Sequence, residues 1–188
     1  MPVNRTGKLF VFSAPSGSGK TTIVKRILAL FPDLVFSISA TTRKKRDTET
    51  NGTEYFFITE EEFKDKIESG EFIEWEKFYG YYYGTLRSYI DQSLIVGKTV
   101  VLELDVKGAI SIKEEYPEAL LIFIMPPGIE ELKKRLKSRK TESDDDFKKR
   151  IERAEMELTY KDHFDFIVVN KHIDNAVRKV KNIIENNR

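Results

Sequence analysis

The chain has 188 residues, a length that suits one domain with inserted lobes. Its 32 Lys and Arg residues nearly balance 31 Asp and Glu residues, so a net charge of +1 gives no reason to expect a nucleic acid or an anionic membrane as partner. The absence of cysteine excludes disulfides and thiolate chemistry. Because the N-terminus lacks a signal-peptide pattern and no apolar run approaches ~18 residues, we expect a soluble, cytoplasmic protein.

A glycine-rich turn near the N-terminus follows an apolar strand pattern, Leu9–Phe12, and precedes a helical pattern, Ile23–Leu30. This order of strand, turn and helix is the context of a P-loop, whose glycines let backbone N–H groups point at phosphate oxygens. Lys20 can neutralise the β- and γ-phosphates, and the Thr21 hydroxyl can ligate a phosphate-bound Mg²⁺. The residues predicted to bind the triphosphate are Ala14, Pro15, Ser16, Gly17, Ser18, Gly19, Lys20, Thr21 and Thr22.

Outside residues 39–85, strand patterns alternate with helix patterns, which predicts a parallel sheet covered by helices on both faces. The predicted strands are Leu9–Phe12, Leu34–Ser39, Thr99–Asp105, Leu120–Ile124 and Phe166–Val169, and the predicted helices after the first are Leu86–Val96, Lys107–Glu115 and Ile173–Ile184. A basic helix at Ile129–Lys137 and a second helix with Ser143 as N-cap predict a helix hairpin.

Residues 39–85 do not follow this alternation and predict a small inserted α/β lobe. Its predicted elements are a hairpin turn at Asn51-Gly52, a strand at Tyr55–Ile58, a helix from Thr59 to Gly70 that begins with a capping box to Glu62, and a strand at Phe72–Phe78. We interpret this segment as an insertion into the core rather than a βαβ crossover.

Polar side chains of the inserted lobe have the chemistry to bind a second phosphate group. Arg43 and Arg46 can donate forked hydrogen bonds to a phosphate, and Tyr55 and Tyr83 can add hydroxyl donors. The alternative interpretation of the two arginines is a solvated run of charge.

The carboxylate of Glu74 suits recognition of guanine. Guanine presents N1–H and N2–H₂ as paired donors that one carboxylate can accept together, whereas adenine presents no such pair. The hydroxyls of Ser39 and Thr85 could donate to O6 of the same base. The alternative interpretation of Glu74 is an exposed glutamate on a strand.

Taken together, these segments resemble guanylate kinase. The matching segments are Ser13–Thr22, Ser37–Arg46, Gly52–Phe57, Phe72–Trp75, Tyr82–Thr85, Leu102–Asp105, Leu132–Arg139 and Val168–Asn170, in one order over almost the whole chain. The resemblance implies an α/β P-loop nucleoside-monophosphate kinase fold, with a parallel sheet core flanked by helices, an inserted mixed α/β GMP-binding lobe and a helical lid. We therefore expect the core at residues 1–38, 86–127 and 158–188, the GMP-binding lobe at 39–85, and the lid at 128–157.

The resemblance also implies a reaction and a set of site residues. The family transfers a phosphoryl group from MgATP to GMP, so ATP and GMP are the expected substrates and Mg²⁺ the expected cofactor, in a monomer or homodimer. The residues implied to bind GMP are Ser39, Arg43, Arg46, Tyr55, Glu74, Tyr83, Thr85, Glu103 and Asp105. Asn170 matches a position near the adenine of ATP, Arg139 and Arg150 match lid arginines that reach the transferred group, and Arg135 is a further lid candidate. With Lys20 and Arg43, Arg139 and Arg150 form the expected catalytic set.

The chain departs from the family pattern at a few positions. Ala14 stands where the P-loop pattern has its first glycine, Lys45 stands where proline is usual, Glu103 stands where aspartate is usual, and Ser138 and Lys140 replace glycines around Arg139. These departures bear on the role of Glu103 and on the geometry of the lid turn.

Three other functions compete with this interpretation. A kinase for another nucleoside monophosphate is disfavoured by Glu74, and a P-loop hydrolase would leave the guanine-binding residues without a role. A non-catalytic guanylate-kinase-like module that binds proteins is the alternative from another class. Such modules typically lose P-loop residues, whereas Lys20 and Thr21 are both present here.

Overall fold

A five-stranded parallel sheet forms the centre of the protein, with strand order β2-β7-β1-β8-β9. The computed structural model describes residues 5–53, 55–78, 80–137 and 144–188, with residues 144–146 described by their backbone alone. The strands of this sheet are β1 (Leu9–Ser13), β2 (Val35–Phe36), β7 (Val100–Glu103), β8 (Leu120–Met125) and β9 (Phe166–Val169). All four strand pairs are parallel, so their carboxyl ends meet at one edge of the sheet.

Helices cover both faces of this sheet. The helices are α1 (Lys20–Leu30), α3 (Arg87–Ile95), α4 (Val106–Glu115) and α7 (Ile173–Asn187). Phe10 and Phe12 of β1 lie in one apolar cluster with residues of α1 and α7, whereas Leu9 and Val11 lie in a second cluster with residues of α3 and α4. Because successive side chains of a strand point to opposite faces, both faces of β1 need apolar residues, which accounts for its uninterrupted hydrophobic sequence. Each buried Phe contributes roughly 2–3 kcal/mol.

The inserted lobe forms a second sheet of four strands, with strand order β4-β3-β6-β5. Its strands are β3 (Ala40–Thr41), β4 (Phe56–Phe57), β5 (Phe72–Phe78) and β6 (Tyr81–Leu86). The predicted hairpin at Asn51-Gly52 is wrong, because β4 pairs with β3 in parallel, with Ala40 opposite Phe56. The antiparallel neighbour of β3 is β6, with Ala40 opposite Gly84. The Asn51 side chain instead accepts a hydrogen bond from the Phe57 amide at 2.8 Å, which fastens a local turn.

The helix of the lobe, α2 (Glu60–Glu68), has the predicted capping box. The Thr59 hydroxyl accepts from the Glu62 amide at 3.1 Å, and the Glu62 carboxylate accepts from the Thr59 amide at 2.8 Å. Phe63 of this helix packs with Ala40 and Phe72 in an apolar cluster that belongs to the lobe. The lobe therefore has a small core separate from the clusters on the central sheet.

The predicted helix hairpin consists of α5 (Ile129–Lys137) and α6 (Asp144–Leu158). Leu132 and Leu136 of α5 pack against Ile151 and Ala154 of α6. The predicted N-cap Ser143 lies outside the described residues, as do Arg139 and its neighbours Ser138 and Lys140. A 3₁₀ turn, Lys161–His163, connects α6 to β9.

The prediction of an α/β protein with a helix-flanked parallel sheet is confirmed. The main difference in the core is the length of β2: the sequence predicts a strand at Leu34–Ser39, but only Val35–Phe36 pair with β7, because the chain then turns into the lobe. Across the described parts of the chain, the structure contains no helix long and apolar enough to cross a membrane.

Candidate active site

The P-loop lies between the carboxyl end of β1 and the first turn of α1. Gly17 and Gly19 have φ of 85° and 90°, a backbone conformation that L side chains rarely adopt. A Cβ atom at Gly19 would also lie 2.5 Å from the Asn170 amide nitrogen. Both glycines are therefore required for the loop to curl around an anion at the N-terminus of α1.

The Lys20 ammonium donates to the Leu104 carbonyl at 2.8 Å, which holds it at the carboxyl end of β7. Burial lowers the pKa of Lys20, whereas the carboxylates of Glu103, Asp105 and Glu157 raise it. Bound phosphate would add negative charge beside the ammonium and favour its charged form. The structure thus places the Lys20 ammonium beside three carboxylates and next to the loop that is predicted to bind phosphate.

Thr21 and Glu103 form a direct contact, in which the Thr21 hydroxyl donates to the Glu103 carboxylate at 2.5 Å. The resemblance groups Glu103 with the GMP-binding residues, whereas in the structure its carboxylate lies beside the first turn of α1. Hydroxyl and carboxylate oxygens are hard ligands of the kind that Mg²⁺ prefers. The donor set at this point therefore fits Mg²⁺ in the presence of a triphosphate.

Asn170 supports the P-loop from the end of β9. Its side-chain amide donates to the Ser18 carbonyl at 2.8 Å, and the backbone carbonyl of Asn170 accepts from the Arg135 guanidinium at 3.1 Å. The side chain is buried, so this contact is well shielded from water. Asn170 thereby connects the loop to the lid helix α5 through Arg135.

Glu74, on β5, is half-buried where the lobe faces the first turn of α4, so it is not a freely exposed strand glutamate. Its carboxylate accepts from the Thr85 hydroxyl at 2.5 Å, and its second oxygen lies 3.1 Å from the point where a Cβ atom of Gly108 would stand. Burial raises the pKa of Glu74 to about 7, and the charge of Asp105 adds to the rise. Asp105 is the N-cap of α4, where it accepts from the Gly108 amide at 2.7 Å. Ser39 lies just before β3, and its carbonyl accepts from Phe56 at 2.9 Å.

The two arginines of the lobe have different surroundings. Arg43 forms a two-pronged ion pair with Glu49, at 3.0 and 2.7 Å, and stacks 5.6 Å from the Tyr55 ring. The side chains of Arg43 and Glu49 are only 14% and 11% exposed, so water weakens this pair little. Glu49 also accepts from the backbone amide of Arg46 at 2.8 Å. Arg46 itself lines the cavity described below.

Tyr55 and Tyr83 lie edge to face, with ring centroids 6.0 Å apart. Burial raises the pKa of Tyr55, so its phenol remains protonated and able to donate at neutral pH. Tyr83 lies on β6, opposite Glu76 of β5. The structure therefore brings the two phenols together beside Arg43, as the sequence predicts.

Arg150 of α6 reaches the P-loop, where its guanidinium donates to the Ser16 hydroxyl at 2.6 Å. The side chains of Leu132 and Leu136 lie 3.0 to 3.2 Å from the position of a Cβ atom at Gly17. The helix hairpin thus lies against the loop, and Gly17 allows this close approach. Arg139, the other predicted lid arginine, is outside the described residues.

A cavity of about 1310 Å³ lies where the P-loop, the lobe and the helix hairpin meet. Its lining joins the whole stretch Ala14–Thr22 to residues of the other two regions: Arg46, Lys77, Phe78, Asp105, Lys149, Arg150, Arg153 and Glu157. Among the lining residues that the structure describes, six are Lys or Arg and two are acids, so this part of the lining carries an excess of positive charge. Such a chamber is suited to hold crowded phosphate groups.

Sequence reasoning missed several residues around this cavity. Lys77, Lys149, Arg153 and Glu157 were not identified as cavity residues, and Glu49 was not identified as the partner of Arg43. A signal did exist for two of them, since Arg153 and Glu157 follow Arg150 at spacings of three and seven, which places all three on one helix face. Glu49 had no such signal, because a turn has no fixed period.

Known proteins resemble this chain over nearly its whole length. The family model described as guanylate kinase matches residues 6–187. A guanylate kinase of Thermotoga maritima is 46% identical over 182 residues, which cover 97% of this chain and 88% of the relative. A guanylate kinase of Chlorobium chlorochromatii is 47% identical over 187 residues, covering 99% and 98% of the two chains.

The fold agrees with a solved structure as well. A crystal structure of guanylate kinase from Anaplasma phagocytophilum superposes with a TM-score of 0.77 at 29% identity, and the match covers 98% of this chain and 87% of that one. A match of sequence and fold over nearly the whole length makes the assignment independent of any single motif. The chain belongs to the guanylate kinase family, whose members are nucleoside-monophosphate kinases.

Proposed function

We propose that this chain transfers the γ-phosphoryl group of ATP directly to a phosphate oxygen of GMP, giving ADP and GDP. The observation that supports it best is the single cavity lined both by the P-loop and by Arg46 of the lobe. A donor bound at the loop and an acceptor bound at the lobe would face each other there. The attacking oxygen is already an anion at neutral pH, so the reaction needs positioning and charge neutralisation rather than a general base.

The donor half of the proposed site consists of the P-loop amides, Lys20 and the lid. Backbone N–H groups of residues 14–22 would bind the phosphates, with Lys20 on the β- and γ-phosphates. Arg150 already lies against Ser16 and would neutralise charge on the transferred group. Arg139 is proposed to share this role from the lid turn. Asn170 would act beneath the loop, where it binds the Ser18 carbonyl.

Mg²⁺ is the proposed cofactor, and Thr21 would hold it together with phosphate oxygens. The contact between Thr21 and Glu103 supplies oxygen donors of the right chemistry, and Glu103 would act through a water or as a direct ligand. When bound, Mg²⁺ supplies charge neutralisation and orientation at the β- and γ-phosphates.

The acceptor half of the proposed site has a base end and a phosphate end. Glu74 would accept the paired guanine donors, with Ser39 and Thr85 at O6 and Asp105 nearby. Arg43, Arg46, Tyr55 and Tyr83 would bind the GMP phosphate. Removal of water is needed, because water would otherwise intercept the phosphoryl group, and the lid and lobe are proposed to close for this purpose.

The proposal also assigns a function to each region of the chain. Residues 1–38, 86–127 and 158–188 would form the core, residues 39–85 the GMP-binding lobe, and residues 128–157 the lid. The separate apolar clusters of the lobe and of the helix hairpin support this division. The protein would work in the cytoplasm as a monomer or homodimer, on small-molecule substrates and without a nucleic acid or membrane partner.

One coupled assay tests the reaction and its alternatives. ADP formation from MgATP is followed with GMP, AMP, UMP and CMP in turn, and with no acceptor. We expect turnover with GMP and little with the other three. Turnover that is greatest with another monophosphate would reassign the lobe, ADP formation without any acceptor would indicate a hydrolase, and GMP binding without turnover would favour the non-catalytic module.

A further inference from the structure

One lid side chain, Arg153, contacts charged groups from all three regions of the chain. Its Nε atom donates to Glu157 at 2.9 Å, one turn further along α6. One of its terminal nitrogens lies 3.5 Å from the Asp105 carboxylate, at the N-terminus of α4, and 3.8 Å from the Glu76 carboxylate on β5. The guanidinium also lies 4.4 Å from the centre of the Phe78 ring, two residues after Glu76 on the same strand face. Arg153 therefore spans the gap between lid, core and lobe.

Three carboxylates, those of Glu76, Asp105 and Glu157, share Arg153 as their nearby cation. Burial and the neighbouring Asp105 carboxylate raise the pKa of Glu76, while Arg153 acts in the opposite direction. Burial and the charge of Asp105 raise the pKa of Glu157, and Arg153 lowers it. Removal of the guanidinium would leave the Glu76 and Asp105 carboxylates without a cation between them, so that either one of them binds a proton or lobe and lid move apart. The cation thus favours the arrangement in which the three regions are close together.

We propose that Arg153 is a positioning residue that holds the lid helix against the GMP-binding lobe by neutralising the facing carboxylates of Glu76 and Asp105. The inference rests on the proposed function, because it concerns closure around the same cavity. Arg153 acts here through the two carboxylates rather than through a substrate phosphate. Arg153 raises the population of the closed form. Loss of the Arg153 charge therefore weakens apparent substrate binding without slowing the chemical step in the closed complex.

A suppression experiment separates this role from direct catalysis. Arg153→Met removes the charge and keeps an apolar stem that can pack on Phe78. We expect the GMP KM to rise about tenfold, on the scale of a typical coupling between sites, while kcat stays within about twofold. Adding Glu76→Gln to this variant removes one of the two carboxylates left facing each other. We therefore expect the double variant to recover most of the lost affinity, to within about threefold of the parent.

Two matched variants control the experiment. Lys148→Met removes a positive charge from an exposed position of the same helix, and we expect parent-like constants. Arg153→Lys keeps the charge, so it should stay within about threefold of the parent GMP KM. A fall in kcat without a change in KM, or a double variant as impaired as Arg153→Met, would overturn the proposal and indicate a contact between Arg153 and the substrate phosphates.

A distance measurement tests the same inference without using activity. Because the chain has no cysteine, Glu61→Cys on α2 and Lys148→Cys on α6 provide two specific sites for a donor and an acceptor dye. Without substrates, we expect Arg153→Met to lower the transfer efficiency and the added Glu76→Gln to restore it. Identical efficiencies in all three proteins would overturn the inference, even if Arg153→Met fails to turn over. Lack of GMP turnover by the parent protein would overturn the proposed function and leave this measurement valid.

Discussion

In the P-loop, two glycines of positive φ shape the backbone that is predicted to bind phosphate, whereas in the lobe the predicted GMP-binding groups are side chains held by other side chains. The loop stands on β1, all of whose residues are buried. Several of the predicted GMP-binding residues of the lobe flank β3 and β4, which are two residues long each, and one of them, Arg43, is held by Glu49. The comparison teaches that the donor half depends on chain geometry and the acceptor half on a network of supporting residues.

Lys20 is where the donor half does depend on one side chain, so its loss should have the largest effect. We expect Lys20→Ala to lower kcat at least ~10²-fold, the scale of removing one preorganised electrostatic partner. Steady-state kinetics with MgATP and GMP measures kcat for the variant and the parent. Lys25→Ala, which changes an exposed lysine of the same helix, serves as the control and should behave as the parent does. A near-normal rate for Lys20→Ala would remove Lys20 from the catalytic set.

Glu74 tests whether the acceptor half reads the base. Glu74→Ala leaves the guanine donors without an acceptor, a loss of about 1–3 kcal/mol, so the GMP KM should rise about 5–150-fold. The ATP KM should change much less, because the loop does not contact this residue. Glu68→Gln alters an exposed acid of the same lobe and provides the comparison. An unchanged GMP KM would take Glu74 out of the site.

The pH dependence of GMP binding also tests whether the Glu74 carboxylate binds the base. The pKa of Glu74 is raised to about 7 by burial, and the protonated carboxyl cannot accept both guanine donors. GMP binding therefore weakens as the pH falls through 7. Below pH 7, each further decrease of one pH unit should raise the GMP KM by a factor that approaches about ten. The measurement runs from pH 8 to pH 6.

The GMP phosphate titrates near pH 6 as well, so a variant has to separate the two effects. In Glu74→Gln, the steep part of the profile above pH 6.5 should disappear, because no carboxyl remains to titrate there. An identical profile in parent and variant would assign the pH dependence to the phosphate instead.

Glu49 tests the claim that the lobe depends on supporting residues. Glu49→Gln keeps the shape and loses the charge that orients Arg43, so we expect the GMP KM to rise about fivefold with kcat nearly unchanged. Asp47→Asn, an exposed change in the same turn, is the matched control. A lower GMP KM would contradict this role and show that Glu49 competes with the GMP phosphate for Arg43.

Local patterns predicted the elements that local interactions stabilise. The capping box at Thr59 formed as expected, because its two hydrogen bonds join residues three apart. The P-loop followed from glycine spacing and from the strand and helix on either side. The hairpin at Asn51-Gly52 was wrong for the opposite reason: the turn is compatible with several strand pairings, and the position of β6 beside β3 left β4 only the other edge.

By itself, the sequence determined the parallel α/β core, the P-loop and the kinship to guanylate kinases, since these depend on periodicity, glycine placement and motifs in a fixed order. Only the tertiary structure decided that Glu103 meets Thr21, that Glu49 holds Arg43 and that Arg153 joins three regions. Those contacts connect residues of separate elements, or of a turn without a period. Their partners are chosen by how the lobe and lid pack on the core, which no local pattern encodes.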